Sequence, residues 1–275
     1  MSIFQAIVLG LVQGLTEFIP VSSTAHLKIV PELIGWGDPG AAASAVIQFG
    51  TVIAAIIYFA RDIIRIAIGF FRGLLSRRFM QDPDFADAMY VIIGTIPIVV
   101  LGLLLKKTIE TTFRSTWIVT FMIIFVAILL QLSERYAMRR GFRDERDFNA
   151  RDAAAMGIGQ CLALIPGASR SGSTLMTAFF RRIPREKAAR FSFIMSLPAI
   201  AGAGFLELVS EKQHLAELGK VPIIVAIVVA FITGWASIWF LLRYLKTHTT
   251  YVFIYYRYAL GALMIVLLTT GYLKA

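Results

Sequence analysis

The chain is poor in the side chains that bind transition metals and form disulfides. It contains one cysteine, Cys161, and three histidines among 275 residues. A single cysteine excludes an intramolecular disulfide. Because there is no cluster of cysteine and histidine, a bound metal ion would need oxygen ligands, which suit hard cations such as Mg²⁺ and Ca²⁺.

Charged residues are also scarce. They make up 16% of the chain, against 58% hydrophobic residues and a mean hydropathy of +0.75; soluble domains are about a quarter charged. Apolar runs such as 42–60 and 118–132 approach the roughly 20 residues that cross a bilayer. We therefore expect an all-α polytopic protein surrounded by membrane lipids. The first 18 residues lack a basic region and a small-residue cleavage site, so we expect no cleavable signal peptide.

Acidic residues are outnumbered by basic ones, 17 to 27, which gives a net charge of +10. In a soluble protein this charge would favour a nucleic-acid partner. Here nineteen of the basic residues fall in four segments between apolar runs, and such loops are typically cytoplasmic. We expect no nucleic-acid partner and one basic, cytoplasmic face, to which we assign residues 61–82, 133–152, 181–190 and 243–257.

Two apolar segments, 3–36 and 153–180, are interrupted by a proline followed by hydroxyl residues. Each is followed by three uninterrupted runs, which predict crossings at 42–60, 87–105, 115–132, 190–208, 221–242 and 252–272. If both interrupted segments are re-entrant hairpins, all four basic segments lie on one side and both termini lie outside. The expected fold is a single membrane domain, 1–275, built as an inverted repeat of one re-entrant helical hairpin plus three transmembrane helices, with halves 1–150 and 151–275.

The two interruptions read "IPVSSTAH" (19–26) and "IPGASRSGST" (165–174). Proline ends one helical arm, and a hydroxyl residue can cap the next. Aligned on Pro20 and Pro166, Ser23 and Ser169 share an offset. Two helix N-termini at one place form an anion site suited to phosphate, and Arg170 adds a bidentate fork for phosphate oxygens. The expected phosphate ligands are Ser22, Thr24, Ser169, Ser171, Ser173 and Thr174.

The first interrupted segment supplies the other candidate catalytic residues. Gln13 and Glu17 stand four residues apart on one helical face, and Glu17 is an isolated acid that should pair with a cation or a metal ion. Ser23 is the best candidate nucleophile, with Ser22 and Thr24 as alternatives, and His26 is a candidate base. A purely structural alternative also stands, in which the hydroxyls only cap helices and Arg170 only pairs with Glu17.

At these residues the chain resembles the BacA-type undecaprenyl-diphosphate phosphatases. The resemblance rests on Gln13 to Glu17 as an (E/Q)xxxE element, on Pro20 to His26, and on Pro166 to Thr174. It implies an integral membrane hydrolase that converts undecaprenyl diphosphate to the monophosphate and phosphate, recycling the carrier for cell-wall synthesis and conferring bacitracin resistance. Many members have a second glutamate where this chain has Gln13.

The resemblance also implies a divalent cation, Mg²⁺ or Ca²⁺, which Glu17 and Gln13 would bind together with substrate phosphate. It implies a multi-pass protein of the bacterial inner membrane whose site opens to the outer face, and we include a homodimer among the expectations. From the residues, we expect catalysis by Glu17, Ser23, His26 and Arg170, with either Ser23 or an activated water as nucleophile. The main alternative is a polyprenyl-phosphate flippase that uses the same anion site; a structural subunit is a third.

Overall fold

The computed structural model describes residues 1–36, 40–76, 82–110, 113, 115–210 and 218–273. Twelve α-helices and two short 3₁₀ helices, Glu145–Asp147 and Cys161–Leu164, account for most of this part of the chain. The α-helices are α1 (Ile3–Glu17), α2 (Ser23–Leu33), α3 (Gly40–Tyr58), α4 (Ala60–Ser76), α5 (Pro83–Leu104), α6 (Lys106–Glu110), α7 (Thr116–Arg140), α8 (Ala150–Gln160), α9 (Arg170–Phe180), α10 (Arg185–Ser210), α11 (Lys220–Leu245) and α12 (Tyr251–Thr269).

Five of these helices, α5, α7, α10, α11 and α12, are long and apolar enough to cross a membrane. The pair α3 and α4 supplies a sixth span if it is counted as one element, although it bends by 71° at Phe59. The five long helices and α3 each overlap one of the six expected crossings, and α7 continues to Arg140, beyond the expected end at residue 132. The chain is therefore a multi-pass α-helical membrane protein, as expected.

Helix α4 corrects one expectation, because residues 61–82 were assigned to a loop. Its exposed apolar side chains Ile64, Ile68, Phe71 and Leu75 recur at helical spacing on one face, while Arg65 pairs with Asp84 and with Asp87 at the start of α5. An apolar stripe combined with a basic face is typical of helices that lie in the membrane interface. This helical spacing of apolar residues was present in the sequence, but the arginines among them led to the assignment of a loop.

Small residues bring α1 against α11. A side chain on Gly14 would place its Cβ 2.8 Å from the backbone carbonyl oxygen of Ala230, and one on Gly10 would come 2.6 Å from the oxygen of Ala226. Glycines four residues apart let two helix backbones approach closely inside a membrane, where packing rather than the hydrophobic effect drives association. This contact fixes the arm that carries Gln13 and Glu17.

Ion pairs gather the basic segments at one end of the helix bundle. Two fully buried carboxylates organise them: Glu134 pairs with Arg185, and Asp152 accepts from Arg143 and from Arg181 Nε at 2.7 Å. Further pairs join Arg190 to Asp62 and Lys246 to Glu186. At the opposite end the N-terminal amine donates to the Leu218 carbonyl, and the Tyr272 hydroxyl to that of Leu33.

Candidate active site

The site is built at two places where a helix stops and another starts inside the bundle. The first break, residues 18–22, separates α1 from α2, and the second break, residues 165–169, separates the 3₁₀ helix Cys161–Leu164 from α9. A proline lies in each, as expected from the sequence. Irregular backbone at membrane depth is tolerated only where protein groups or a cavity satisfy it.

A serine in an unusual backbone conformation caps the helix after each break. Ser22 has φ 77° and Ser169 has φ 69°, in the left-handed region that non-glycine residues rarely adopt. The Ser22 hydroxyl oxygen accepts from the Ala25 N–H at 3.4 Å, and that of Ser169 accepts from the Gly172 N–H at 3.1 Å. Strain of this kind persists only where the surrounding structure holds it in place, and it clusters at functional sites.

The two caps match bond by bond. Ser22 Oγ lies 3.1 Å from Thr24 Oγ1, and Ser169 Oγ lies 3.2 Å from Ser171 Oγ. The structural equivalent of Ser169 is therefore Ser22, and the equivalence with Ser23 read from the proline alignment was wrong. The stretch from the proline to the capping serine is one residue longer in the second break because it contains Gly167. Its φ of +92° favours glycine, and its Cβ would come 2.3 Å from the Val119 carbonyl oxygen.

The residue after each cap points to the same carboxylate. Ser23, the first residue of α2, donates from its hydroxyl to Glu17 Oε2 at 2.7 Å. Arg170, the first residue of α9, donates from Nη2 to Glu17 Oε1 at 3.2 Å. The structure thus brings together three of the four expected catalytic residues. The Arg170–Glu17 pair and the serine caps are also what the structural alternative expects. That alternative does not require the contact between Ser23 and Glu17.

Two glutamine side chains complete the environment of Glu17. Gln13 Nε2 donates to Oε2 at 2.9 Å, as its spacing indicated, and Gln48 Nε2 donates from α3 to Oε1 at 3.1 Å. Glu17 is the last residue of α1, an end where the helix dipole disfavours an anion. Four donors, one of them a guanidinium, offset that cost for a carboxylate that is only 8% exposed.

Serines on α10 hold the second cap from behind, and sequence reasoning missed them. Ser196 is the partner of Arg170 Nη1, and Ser192 is hydrogen bonded to the Thr174 hydroxyl. Gln48 was missed for the same reason: each is a single polar residue inside an apolar run. Such residues inside a span are the available signal, because membrane-buried polar groups usually have a partner.

The two breaks also touch each other. The Gly167 N–H donates to Thr24 Oγ1 at 3.3 Å, and the Ser171 hydroxyl donates to the Ile19 carbonyl at 3.3 Å. Thr24 and Ser171 occupy the same position in the two caps, so the contacts are reciprocal. Both were expected phosphate ligands, and both have hydroxyls at the junction of the breaks.

His26 lies in the same region but is held away from Ser23. Its Nδ1 is 2.7 Å from the Ser22 carbonyl oxygen, and its Nε2 is 2.6 Å from the Tyr256 hydroxyl. Because a carbonyl can only accept, Nδ1 carries the proton, and in a neutral ring Nε2 accepts from Tyr256. The hydroxyl of Ser23 is therefore bonded to Glu17 rather than to His26. Tyr256, on α12, was missed by sequence reasoning.

Ser173 stays an expected phosphate ligand, and the placement of Arg257 changes. Ser173 is fully buried on α9, and its hydroxyl has no hydrogen-bond partner among the described residues, which sets it apart from the other expected phosphate ligands. Arg257 was counted with the basic, cytoplasmic segment 243–257, and this was wrong. It lies within α12, is fully buried, and donates to backbone carbonyls of both breaks.

The donors around Glu17 bear on the expected divalent cation. Among the described residues there is no group of three or more histidine, cysteine, aspartate or glutamate side chains that could hold a metal ion. Among the residues that the structure describes, Glu17 is the one carboxylate beside the breaks, and Gln13 adds an amide. Mg²⁺ in phosphate-processing enzymes is commonly held by one or two carboxylates plus the substrate phosphates. These residues fit an ion that binds in that way.

Comparison with known proteins gives matches over most of the chain. The sequence profile described as "Bacitracin resistance protein BacA" matches residues 6–263. The chain belongs to the BacA family. Its relatives include proteins named undecaprenyl-diphosphatase from Chlorobaculum tepidum, 47% identical over 99% of both chains, and from Chloroherpeton thalassium, 48% identical over the full length of both. A third, from Myxococcus xanthus, is 50% identical over all of this chain and 92% of the relative.

The range that matches the BacA family contains every residue of the site, from Gln13 in α1 to Arg257 in α12. The match to the named relatives extends over nearly the full length of each, so the matched stretch includes both breaks and the helices that support them.

Proposed function

We infer that this chain hydrolyses undecaprenyl diphosphate to undecaprenyl monophosphate and inorganic phosphate. The activity is the one named for relatives that match it over the full length. The observation that carries the inference is the convergence of Ser23 and Arg170 on Glu17, because it joins a hydroxyl, a base and a cation at two helix N-termini. Bacitracin resistance is consistent with the family description.

The diphosphate binds where the two caps meet. Each cap ends in backbone N–H groups with a partial positive charge, which attracts phosphate oxygens. Arg170 contributes a planar guanidinium fork. The hydroxyls of Thr24 and Ser171 lie at the junction and supply further hydrogen bonds; Ser22, Ser169 and Thr174 hold the caps, and Ser173 has no assigned contact to the substrate.

In the proposed reaction the Ser23 oxygen attacks the distal phosphorus. Glu17 Oε2, already 2.7 Å from that oxygen, takes the proton. A bond forms between Ser23 Oγ and phosphorus while the bridging P–O bond breaks, and the lipid monophosphate leaves. Water then cleaves the phosphoserine and releases inorganic phosphate. Arg170 offsets the charge that develops on the phosphoryl oxygens. In the alternative route, water attacks directly with His26 as the base.

We further propose that a divalent cation, Mg²⁺ or Ca²⁺, is bound by Glu17 and Gln13 together with the diphosphate. When bound it neutralises phosphate charge, which is the principal requirement of phosphoryl transfer. Gln13 now directs Nε2 at Glu17, so its amide would turn to present an oxygen.

For the arrangement in the membrane we propose two re-entrant hairpins in an inverted repeat. Two observations support it. Arg181, the residue after α9, pairs with Asp152 at the start of α8, and Tyr272, near the end of the chain, contacts Leu33 at the end of α2. The basic, ion-paired end then faces the cytoplasm, and the site opens to the outer face of the inner membrane. The cysteine of a Lys220→Cys variant should react with an impermeant thiol reagent on intact cells, and that of an Arg146→Cys variant should not. The reverse result would contradict this orientation.

The flippase alternative uses the same anion site and the same breaks. The contact between Ser23 and Glu17 favours hydrolysis, since transport of a phosphate group needs no nucleophile paired with a base. In detergent there is no second compartment, so phosphate release from purified protein separates the two functions.

The test is release of inorganic phosphate from undecaprenyl diphosphate in detergent, with a panel of divalent cations. We expect turnover by the unmodified protein and a loss of about 10²–10⁴-fold in Glu17→Gln, the usual contribution of a positioned base. The matched control is Ser237→Ala, which should keep its activity. Ser237 is a buried serine of α11 whose hydroxyl, within the described part of the chain, bonds to the Thr233 carbonyl of its own helix alone. No release by the unmodified protein under any cation condition would contradict the proposed function.

A further inference from the structure

Arg257 is a buried arginine whose side chain does not reach solvent and has no acidic partner among the described residues. It lies in the middle of α12 with no exposed surface, and none of the described carboxylates lies within ion-pair distance of it. Its guanidinium instead donates to five backbone carbonyls, at 3.0–3.4 Å: those of Pro20, Met122, Ile123, Gly167 and Ala168. A charge this deep in a membrane protein is costly and is retained where it has a function.

Three of the five carbonyls belong to the breaks. Pro20 lies in the first break, and Gly167 and Ala168 lie in the second. The other two belong to α7, so the same side chain fixes both breaks against one continuous helix. Arginine can do this because its five N–H donors lie in a rigid plane. Lysine has three donors on a flexible stem and cannot reach the same set.

We propose that Arg257 is a positioning residue that sets the spacing of the two breaks, so that Ser23 and Arg170 reach the same Glu17 carboxylate. This rests on the proposed function for its effect on turnover, but the spacing itself is a property of the free protein. All peptide bonds of the described residues are trans. The Ala168 carbonyl points at Arg257, so the N–H of the next residue, Ser169, points the opposite way.

Among the described residues, two hydrogen bonds also join the segments around the two breaks directly. They are the bonds of Thr24 to Gly167 and of Ser171 to Ile19, both at 3.3 Å. Their hydroxyls are also the groups we expect to turn toward phosphate when substrate binds. Arg257 is the connection whose donors bind backbone alone, so it can hold the spacing through the catalytic cycle.

The first test is the kinetics of Arg257→Lys and Arg257→Gln. We expect both to fold and to lose about 10²-fold in kcat, the cost of displacing reacting groups by about 1 Å, with a much smaller change in KM. The control is Ile254→Ala, which removes a fully buried core side chain one turn away on α12 and should lower Tm without a comparable loss of kcat. Full activity in Arg257→Lys with a dead Arg257→Gln would assign the role to charge alone and overturn the proposal.

The second test is a double-mutant cycle with Arg170→Lys. If Arg257 acts through the alignment of Arg170 with Glu17, the double variant should be about as active as Arg170→Lys alone, because residues that act as a unit are not additive. Losses that multiply would show that Arg257 acts independently of the caps and would contradict the proposal.

The third test does not depend on activity. Hydrogen exchange in detergent should become faster in residues 19–24 and 166–171 of Arg257→Lys, while exchange at the ion-paired end stays unchanged. Exchange that becomes faster throughout the protein, or that becomes faster nowhere, would overturn the proposal. If the Arg257 variants do not fold, Gly167→Ala keeps the arginine and displaces the second break, since its Cβ would meet Val119. An unchanged kcat in Gly167→Ala would also overturn the proposal. If the unmodified protein releases no phosphate, that result would reject only the proposed function.

Discussion

The two breaks of this protein have the same frame and different chemistry. In each, a serine with positive φ caps a helix and bonds to a hydroxyl two residues later, Thr24 in one case and Ser171 in the other. The residue directly after the capping serine differs: it is Ser23 in the first break and Arg170 in the second. Both side chains then bond to Glu17. The frame recurs, and the two breaks differ in the residue after the cap. That residue is the proposed attacking group in the first break and the proposed phosphate clamp in the second.

This comparison makes the residue after the second cap the most sensitive place to intervene. Arg170→Lys should lower kcat by about 10²–10³-fold, the cost of one charge-stabilising donor, although it conserves charge. Lysine is a point charge and cannot span Glu17, Ser196 and a phosphate oxygen with a planar fork. Phosphate release in detergent is the measurement, with Arg243→Lys on α11 as a control.

A structural role for Arg170 gives a different pattern. In that case neutral residues of similar size at both Arg170 and Glu17 should restore folding and much of the turnover. Substantial phosphate release by such a double variant would remove the distinction drawn between the two breaks.

A smaller effect is expected at Gln48, which belongs to neither break. Gln48→Leu removes one neutral donor from Glu17 Oε1 and should lower kcat by about fivefold, from a net hydrogen-bond contribution of about 1 kcal/mol. Gln131→Leu is the matched control, because the Gln131 side chain accepts a hydrogen bond from the Tyr258 hydroxyl and has no hydrogen bond to Glu17 among the described residues. Equal losses in the two variants would mean that α3 contributes packing rather than a specific donor to the carboxylate.

The sequence predicted the elements well because long apolar runs and prolines carry strong local signals. The six expected crossings all became helices, and the hydroxyl runs after Pro20 and Pro166 became caps. The offset between the caps was misassigned because a single added glycine, Gly167, shifts the register after the proline. Helix α4 was missed because its arginines share the sequence with an apolar stripe.

Long-range partners were the least predictable part of the site. Gln48, Ser192, Ser196 and Tyr256 come from α3, α10 and α12, and nothing in their local sequence indicates which group they meet. Arg257 was misplaced for the same reason, since an arginine near a basic loop resembles its neighbours in the sequence. Its role depends on carbonyls that are more than 80 residues away along the chain.

The most direct test of the central claim compares two adjacent serines of the first break. We expect Ser23→Ala to lose at least about 10²-fold in phosphate release while the protein still folds and binds lipid diphosphate. Ser22→Ala should instead lose about 1 kcal/mol of stability, the usual cost of a helix cap, with a far smaller effect on turnover. Near-normal turnover in Ser23→Ala, or equal losses in the two variants, would contradict the assignment of Ser23 as the attacking group and leave capping as its only role.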